Sequence, residues 1–510
     1  MVRFTPLLSL LPLLASASPV PGDDLSFDLL PRETFVDCLS AGKVPMVLQS
    51  SANFGQLASA YNLRLKPKPL VVTIPTTTTH VSNTVKCAKK YRLHVSARGG
   101  GHSYSAQGLG GIDGSVVIDL QNFHDVKYDP KTTWAEVGGG ARLGNIARKL
   151  YDQARRGIPH GTCPAVGMGH PSLGGFGISS RYWGLMVDQI MQVQVVTADG
   201  SLKIAKNNYN GDLFWALKGA APSFGIITRF WFKTYAVPEN IVNYSYRFTG
   251  LTSPAQAADA FMTIQTFARN ASKELGLGVS LWGNGIGFEL SGAYYGKSQA
   301  QFNTLFQPLL NKLPPYSSST LETKGWIDTL LRFAGSSTLS VPETGYNEHT
   351  TFYAKSLVTS NRAPVERQSM LNFFTYAANQ GVSASNQGLP WFVIINLYGG
   401  GNSAITNPAL LKESSYGHRD TLWNFQFYTT LSNGFSIPTN DAAIKFLTGF
   451  DSGVRRSGDF SYVNYADPTY SRSQAQRLYY GKQLTQLSLV KKKWDKDQVF
   501  WYPQSIDPAR

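Results

Sequence analysis

Apolar residues in the first half of the chain come in short β-rich runs separated by one clear helical spacing. The run PLVVTIP (69–75) predicts a strand. Val81, Val85 and Ala88, within THVSNTVKCAKKYR, share a helical face, and LHVSAR (93–98) again reads as a strand. Together they predict a β-α-β unit that leads into the run RGGGHSYSAQG (98–108). Upstream, residues 35–39 open a helix that carries Cys38. Downstream, SVVIDL (115–120) is a buried strand, and MQVQVVTADGSLKIA (191–205) alternates, turns at Asp199-Gly200 and returns as a hairpin.

The texture changes near Val237-Pro238. Ser253 as N-cap and Pro254 at the first helical position start a helix over SPAQAADAFMTIQTFA. VSLWGNGIGFELSGAYYG (279–296) alternates about Asn284-Gly285, a hairpin signal. Phe302, Leu305, Phe306, Leu309 and Leu313 fall on one helical face despite Pro308. PWFVIINLYGG (390–400) reads as a further buried strand. The middle block is therefore an antiparallel sheet with helices, and the fold class is α+β. There is no internal repeat and no low-complexity tract.

The 510 residues, 42% hydrophobic, suffice for a large core and more than one domain. The net charge of +15 admits an anionic polymer as partner. The Lys and Arg residues are scattered, however, with KKKW (491–494) the longest cluster, so the charge describes a basic surface and not a nucleic-acid site. Arg3, the apolar run 4–14 and Ala15-Ser16-Ala17 form a secretory signal peptide over residues 1–17. No later stretch is long and apolar enough for a membrane helix. Secretion makes the sequons at Asn243 and Asn270 possible glycan sites. It also suits a disulfide between Cys38 and Cys87. Cys163 is left over, either as a buried inert thiol or as a residue with a function.

The glycine run fails the familiar nucleotide signatures. Gly99 and Gly101 begin a G-x-G-x-x-G, but the next required position is Tyr104 and no helical period follows. No G-K-[ST] follows for a P-loop. The run is then a tight turn or a nest of backbone N–H groups for phosphate oxygens. His102 is either a hydrogen-bonded loop histidine or a reacting group. The eight histidines show no zinc spacing, so no metal is expected. GHPSLGG lacks the glycine two residues before Ser172 that a hydrolase elbow needs. The glycine-dense stretch 157–184, which contains Cys163, has the composition of a backbone that approaches a flat, bulky ligand.

ARGGGHSYSAQG, GTCPAVGMGHPSLGGFG, SRYWGLMVDQIMQVQVVTADG, DLFWALKGAAPSFGIIT, YVNYADP and VFWYPQSID occur in this order along the chain. Together they resemble the vanillyl-alcohol-oxidase flavoproteins, in the berberine-bridge-enzyme-like branch near secreted fungal glucooligosaccharide and chitooligosaccharide oxidases. The resemblance implies FAD bonded through its 8α carbon to His102 and through carbon 6 to Cys163. It implies a pyrophosphate nest over 98–103, with cofactor contacts from Arg98, Gly99, Gly100, Gly101, Ser103, Val166, Gly167, Gly174, Gly177, Ile226 and Asn464. It also implies a flavin domain in two parts, 18–237 (core about 66–237) and 456–510, around a substrate domain at 238–455.

In such proteins a tyrosine takes the substrate proton, which maps to Tyr465, while Tyr104 helps to orient the sugar. Val166, three residues after the linking cysteine, is the small residue associated with O2 as acceptor and H2O2 as product. The sugar oxidases carry Asp and Gln where this chain has Asn396 and Ile394. The resemblance therefore implies a secreted, monomeric oxidase of an alcohol or hemiacetal carbon in a carbohydrate-like substrate, with no nucleic-acid or membrane partner. A tailoring oxidase of a secondary metabolite and a catalytically impaired carbohydrate-binding relic stay open beside it.

Overall fold

The computed structural model describes residues 32–510 except 284, 297, 346 and 347. The signal peptide assigned to residues 1–17 lies outside them, as does Asn284 of the hairpin turn.

The β-α-β unit forms as its pattern predicts. Val71–Thr73 and Val95–Arg98 both pair in parallel with Val116–Asp119, and Met46–Leu48 adds an antiparallel edge. The crossover helix Thr78–Lys90 starts at Thr77, whose side chain accepts from the His80 N–H. It buries Val81, Val85 and Ala88 against the sheet. Cys87 on this helix is bonded to Cys38 on Arg32–Ala41. The bond closes a loop with a sequence separation of 49. A double Cys38→Ser, Cys87→Ser variant should lose about 4 kcal/mol of stability, chiefly through the freer unfolded chain. Chemical denaturation checks this, and an unchanged midpoint contradicts it.

A second, antiparallel sheet runs in the order Val126–Asp129, Trp134–Gly138, Ile226–Lys233, Ile190–Val196, Leu202–Ala205. Its last pair is the expected hairpin, with Gly200 at φ +75° in the turn. The C-terminal helices Arg472–Tyr480 and Leu484–Trp494 pack their apolar faces into the core of this sheet. The chain then returns to the parallel sheet, where Val95 N–H donates to the Val499 carbonyl (2.8 Å) and Phe500 is buried. Lys491 is buried there, with its ammonium donating to Asp495 (2.6 Å) and to the carbonyls of Ser223 and Phe500.

The middle of the chain forms a seven-stranded antiparallel sheet. Its order is Ser318–Lys324, Ile241–Phe248, Phe288–Tyr294, Leu275–Trp282, Trp391–Leu397, Thr421–Thr430, Phe352–Ser360. Pro254–Ala268, Gln299–Leu310, Arg367–Tyr376 and Ile437–Val454 bury their apolar residues in its core. Ser253 caps the first of these by accepting from Gln256 N–H.

Two expectations need correction. Trp391–Leu397 is not buried on both sides. Trp391, Val393, Ile395 and Leu397 enter the core, whereas Phe392, Ile394 and Asn396 face a cavity. One face is covered by helices and the other lines the cavity, so the period of two carries two different environments. Asn243 is not a glycan site. It is fully buried, and its amide donates to Thr329 (2.8 Å) beneath the helix Trp326–Ala334. Asn270 is exposed. Among the described residues no helix is long and apolar enough to cross a membrane.

Candidate functional site

A cavity of about 520 Å³ lies where the glycine loops meet the open face of the seven-stranded sheet. One wall is built by two loops that touch backbone to backbone. A Cβ on Gly100 would stand 2.3 Å from Gly167 N, and one on Gly167 would stand 2.1 Å from Gly100 N. Only glycine fits this contact. The Arg142 guanidinium clamps the pair by donating to Gly100 O (2.7 Å) and Ala165 O (2.9 Å). The clamp brings His102 and Cys163, 61 positions apart, into one cluster. Ligand atoms of His102, Cys163 and Glu348 all lie within 4.8 Å of one another.

Electrostatics set the protonation state of both groups. Burial, then Arg142, Arg98 and His349, push the His102 pKa down to about 3, so its imidazole is neutral and keeps a nitrogen lone pair. Burial raises the Cys163 thiol, and the Glu348 carboxylate raises it further. The His102 ring is stacked on Tyr61 at 4.2 Å between centroids.

The short turn Val463–Tyr465 closes the cavity from the C-terminal side. The Asn464 amide donates to the carbonyls of His170 and Leu173 and to the Tyr462 hydroxyl. That hydroxyl in turn accepts from Gly175 and Phe176 N–H. Asp467, just beyond, is buried and accepts from Lys355 (2.8 Å) and the Tyr353 hydroxyl (2.9 Å). The turn is thus pinned on two sides. Its Tyr465 ring lies 5.9 Å from that of Tyr104, nearly parallel to it. Burial pushes both phenols well up; Tyr465, Tyr428 and Tyr61 raise Tyr104 further, and Tyr462 raises Tyr465 further.

The opposite wall is a grid set by strand register. Gly278, Asn396 and Asn424 form one row across three strands, and Ser280, Ile394 and Gln426 form the next. Phe392 pairs with Tyr428 in the third row, with rings stacked at 4.7 Å. Gln426 donates to the Tyr104 hydroxyl (3.0 Å). Arg181 holds this wall against the glycine loops. Fully buried, it donates to the carbonyls of Gly399, Gly400, Ala271, Ser272 and Leu275.

Of the residues singled out in the sequence, Gly99, Gly100, Gly101, His102, Ser103, Tyr104, Cys163, Val166, Gly167, Gly177, Ile226, Asn396, Asn464 and Tyr465 all line this cavity. Arg98 and Gly174 do not. Arg98 is turned under its loop toward Asp119 (3.9 Å) and the Leu57 carbonyl. Gly174, at φ +123°, instead lets the Tyr416 and Tyr462 rings approach. Sequence reasoning missed Gln426, Glu348, Tyr61 and Arg181. For Gln426 there was a signal. In TLWNFQFYTT, polar Asn424 and Gln426 alternate with the core residues Trp423, Phe425 and Phe427, which is the mark of a strand with one face on a site.

Comparison with known proteins names the ligand of this cavity. Residues 69–206 match the FAD binding domain family, and residues 461–507 match the berberine and berberine like family. The glycine walls fit such a cofactor, because the lining is dense in glycine and lets a bulky ligand lie close to backbone. The chain is 37% identical to xylooligosaccharide oxidase of Thermothelomyces thermophilus, over 98% of this chain and 100% of that protein. It is 34% identical to chitooligosaccharide oxidase of Gibberella zeae, over 94% and 95%. The solved glucooligosaccharide oxidase of Acremonium strictum, described as carrying 6-S-cysteinyl, 8α-N1-histidyl FAD, superposes with a TM-score of 0.86. It is 30% identical, with 93% of this chain and 99% of that one covered.

Fold and site define an FAD-dependent oxidoreductase. The chain belongs to the berberine-bridge-enzyme-like family of FAD-linked oxidases, alongside the fungal oligosaccharide oxidases.

Proposed function

We propose that this chain is a secreted oxidase of carbohydrate-like alcohols or hemiacetals, with its flavin bonded to both His102 and Cys163. The observation that carries the reading is the single cavity lined by His102, Cys163, Tyr104 and Tyr465. FAD held there would supply a two-electron acceptor for oxidation of the substrate carbon, with O2 as the final acceptor and H2O2 as the product. In this reading segments 18–237 and 456–510 enclose the cofactor, and 238–455 presents the substrate wall.

The chain's own residues do the rest. The neutral His102 ring and the Cys163 thiol, held by the Arg142 clamp, are the attachment points. Double attachment fixes the cofactor even where the cavity is wide enough for a chain of sugars. Tyr465 takes the substrate hydroxyl proton, and Tyr104, held by Gln426, orients the ring. Val166 is small and lines the cavity beside Cys163, which leaves room for O2.

A second reading, oxidation of a non-sugar alcohol, is favoured by the apolar Phe392 and Ile394 on the substrate wall and by the missing carboxylate at Asn396. Screening mono-, di- and oligosaccharides together with apolar alcohols for H2O2 release tests both. A sugar that releases one peroxide per O2 consumed supports the first reading. A panel in which only non-sugar alcohols react replaces it with the second. Reduction of dyes without any peroxide contradicts an oxidase altogether.

A further inference from the structure

We propose that Glu348 is a positioning residue for the histidyl bond: its carboxylate holds His102 in the Nε2–H tautomer and accepts that proton as Nδ1 joins the flavin. The inference rests on the double attachment proposed above and concerns how it forms.

His102 Nε2 lies 3.7 Å from a carboxylate oxygen of the half-exposed Glu348, which is ion-pair distance and longer than a formed hydrogen bond. The Tyr61 ring, stacked on His102, fixes the imidazole plane. A carboxylate can only accept, so it selects the tautomer with the proton on Nε2. Nδ1 is then the nitrogen with the lone pair.

Forming the Nδ1–C8α bond breaks one C–H bond of the flavin 8-methyl group and would leave the imidazole cationic. His102 is buried next to Arg142 and Arg98, where a positive ring is strongly disfavoured. The Nε2 proton must therefore leave, and Glu348 is both adjacent and open to solvent. The electron pair of the broken C–H bond passes through the flavin to O2. Overall, one imidazole N–H, one C–H and O2 become one N–C bond and H2O2.

The same carboxylate opposes the second link. It stands in the cluster with Cys163 and disfavours the thiolate that must attack. The two bonds should therefore respond to Glu348 in different ways, which a merely structural role would not produce.

The test is peptide mapping of purified wild type, Glu348→Gln and Glu348→Asp, scoring flavin on the His102 and Cys163 peptides separately. Thermal melting and total bound FAD serve as controls for folding. In Glu348→Gln the flavin-bearing fraction of His102 should fall by about tenfold or more, while that of Cys163 holds or rises. Glu348→Asp should recover much of the histidyl bond. Equal histidyl fractions in wild type and Glu348→Gln, with wild type carrying both bonds, overturn this inference and leave the double attachment standing. Wild type carrying no covalent flavin overturns both.

Discussion

Substituting Tyr465 by Phe should slow flavin reduction by substrate about 10²- to 10⁴-fold, the usual worth of a placed general base. Both flavin bonds should survive. The substitution removes only the hydroxyl. The Val463–Tyr465 turn is held by Asn464 and Asp467, and the ring keeps its neighbours Tyr104 and Tyr462. Anaerobic stopped-flow measures the step without the later reaction with O2. A rate within tenfold of wild type would remove Tyr465 from the proton transfer.

Asn396→Asp should shift the pH profile toward neutral. Burial pushes the Tyr465 phenol above its ordinary value of about 10. In the proposed reaction the phenolate accepts the proton, so its fraction, and with it the rate, should rise with pH across the range below that raised value. Wild type should therefore work best under alkaline conditions. Asn396 lines the same cavity on the facing strand, and its amide oxygen sits over Gly278, which leaves room for a side chain that faces the site. A carboxylate there can accept a hydrogen bond from the phenol and draw its proton as the substrate reacts. Stopped-flow reduction of both proteins across pH reads the shift. A profile that stays in place while activity falls would count against the sugar-oxidase reading and for a substrate bound in another pose.

Local chemistry made much of the fold legible. Ser253-Pro254 marked a helix start, Asp199-Gly200 marked a hairpin, and the spacing of Val81, Val85 and Ala88 marked the crossover helix. Each signal depends on residues a few positions apart. The flavin wall was legible for a different reason: its loops are dense in glycine, and six ordered stretches carry a family resemblance. The wall built by the seven-stranded sheet was not. Gln426 meets Tyr104 from a position 322 residues away in sequence, and register alone sets that meeting. Glu348 sits in a loop with no pattern of its own. The buried sequon at Asn243 failed as a glycan site because strand pairing and the helix above it, not the tripeptide, decide exposure. The resemblance counts Arg98 in the backbone nest, while its side chain meets a buried carboxylate, Asp119, on the adjacent parallel strand, a contact that strand pairing decides.

The most direct measurement is where the flavin goes when the protein is denatured in acid. Double attachment predicts that wild-type polypeptide stays yellow. His102→Ala and Cys163→Ala should each keep the flavin through the other bond, and only the double variant should release it. Free FAD in the supernatant of denatured wild type would contradict it.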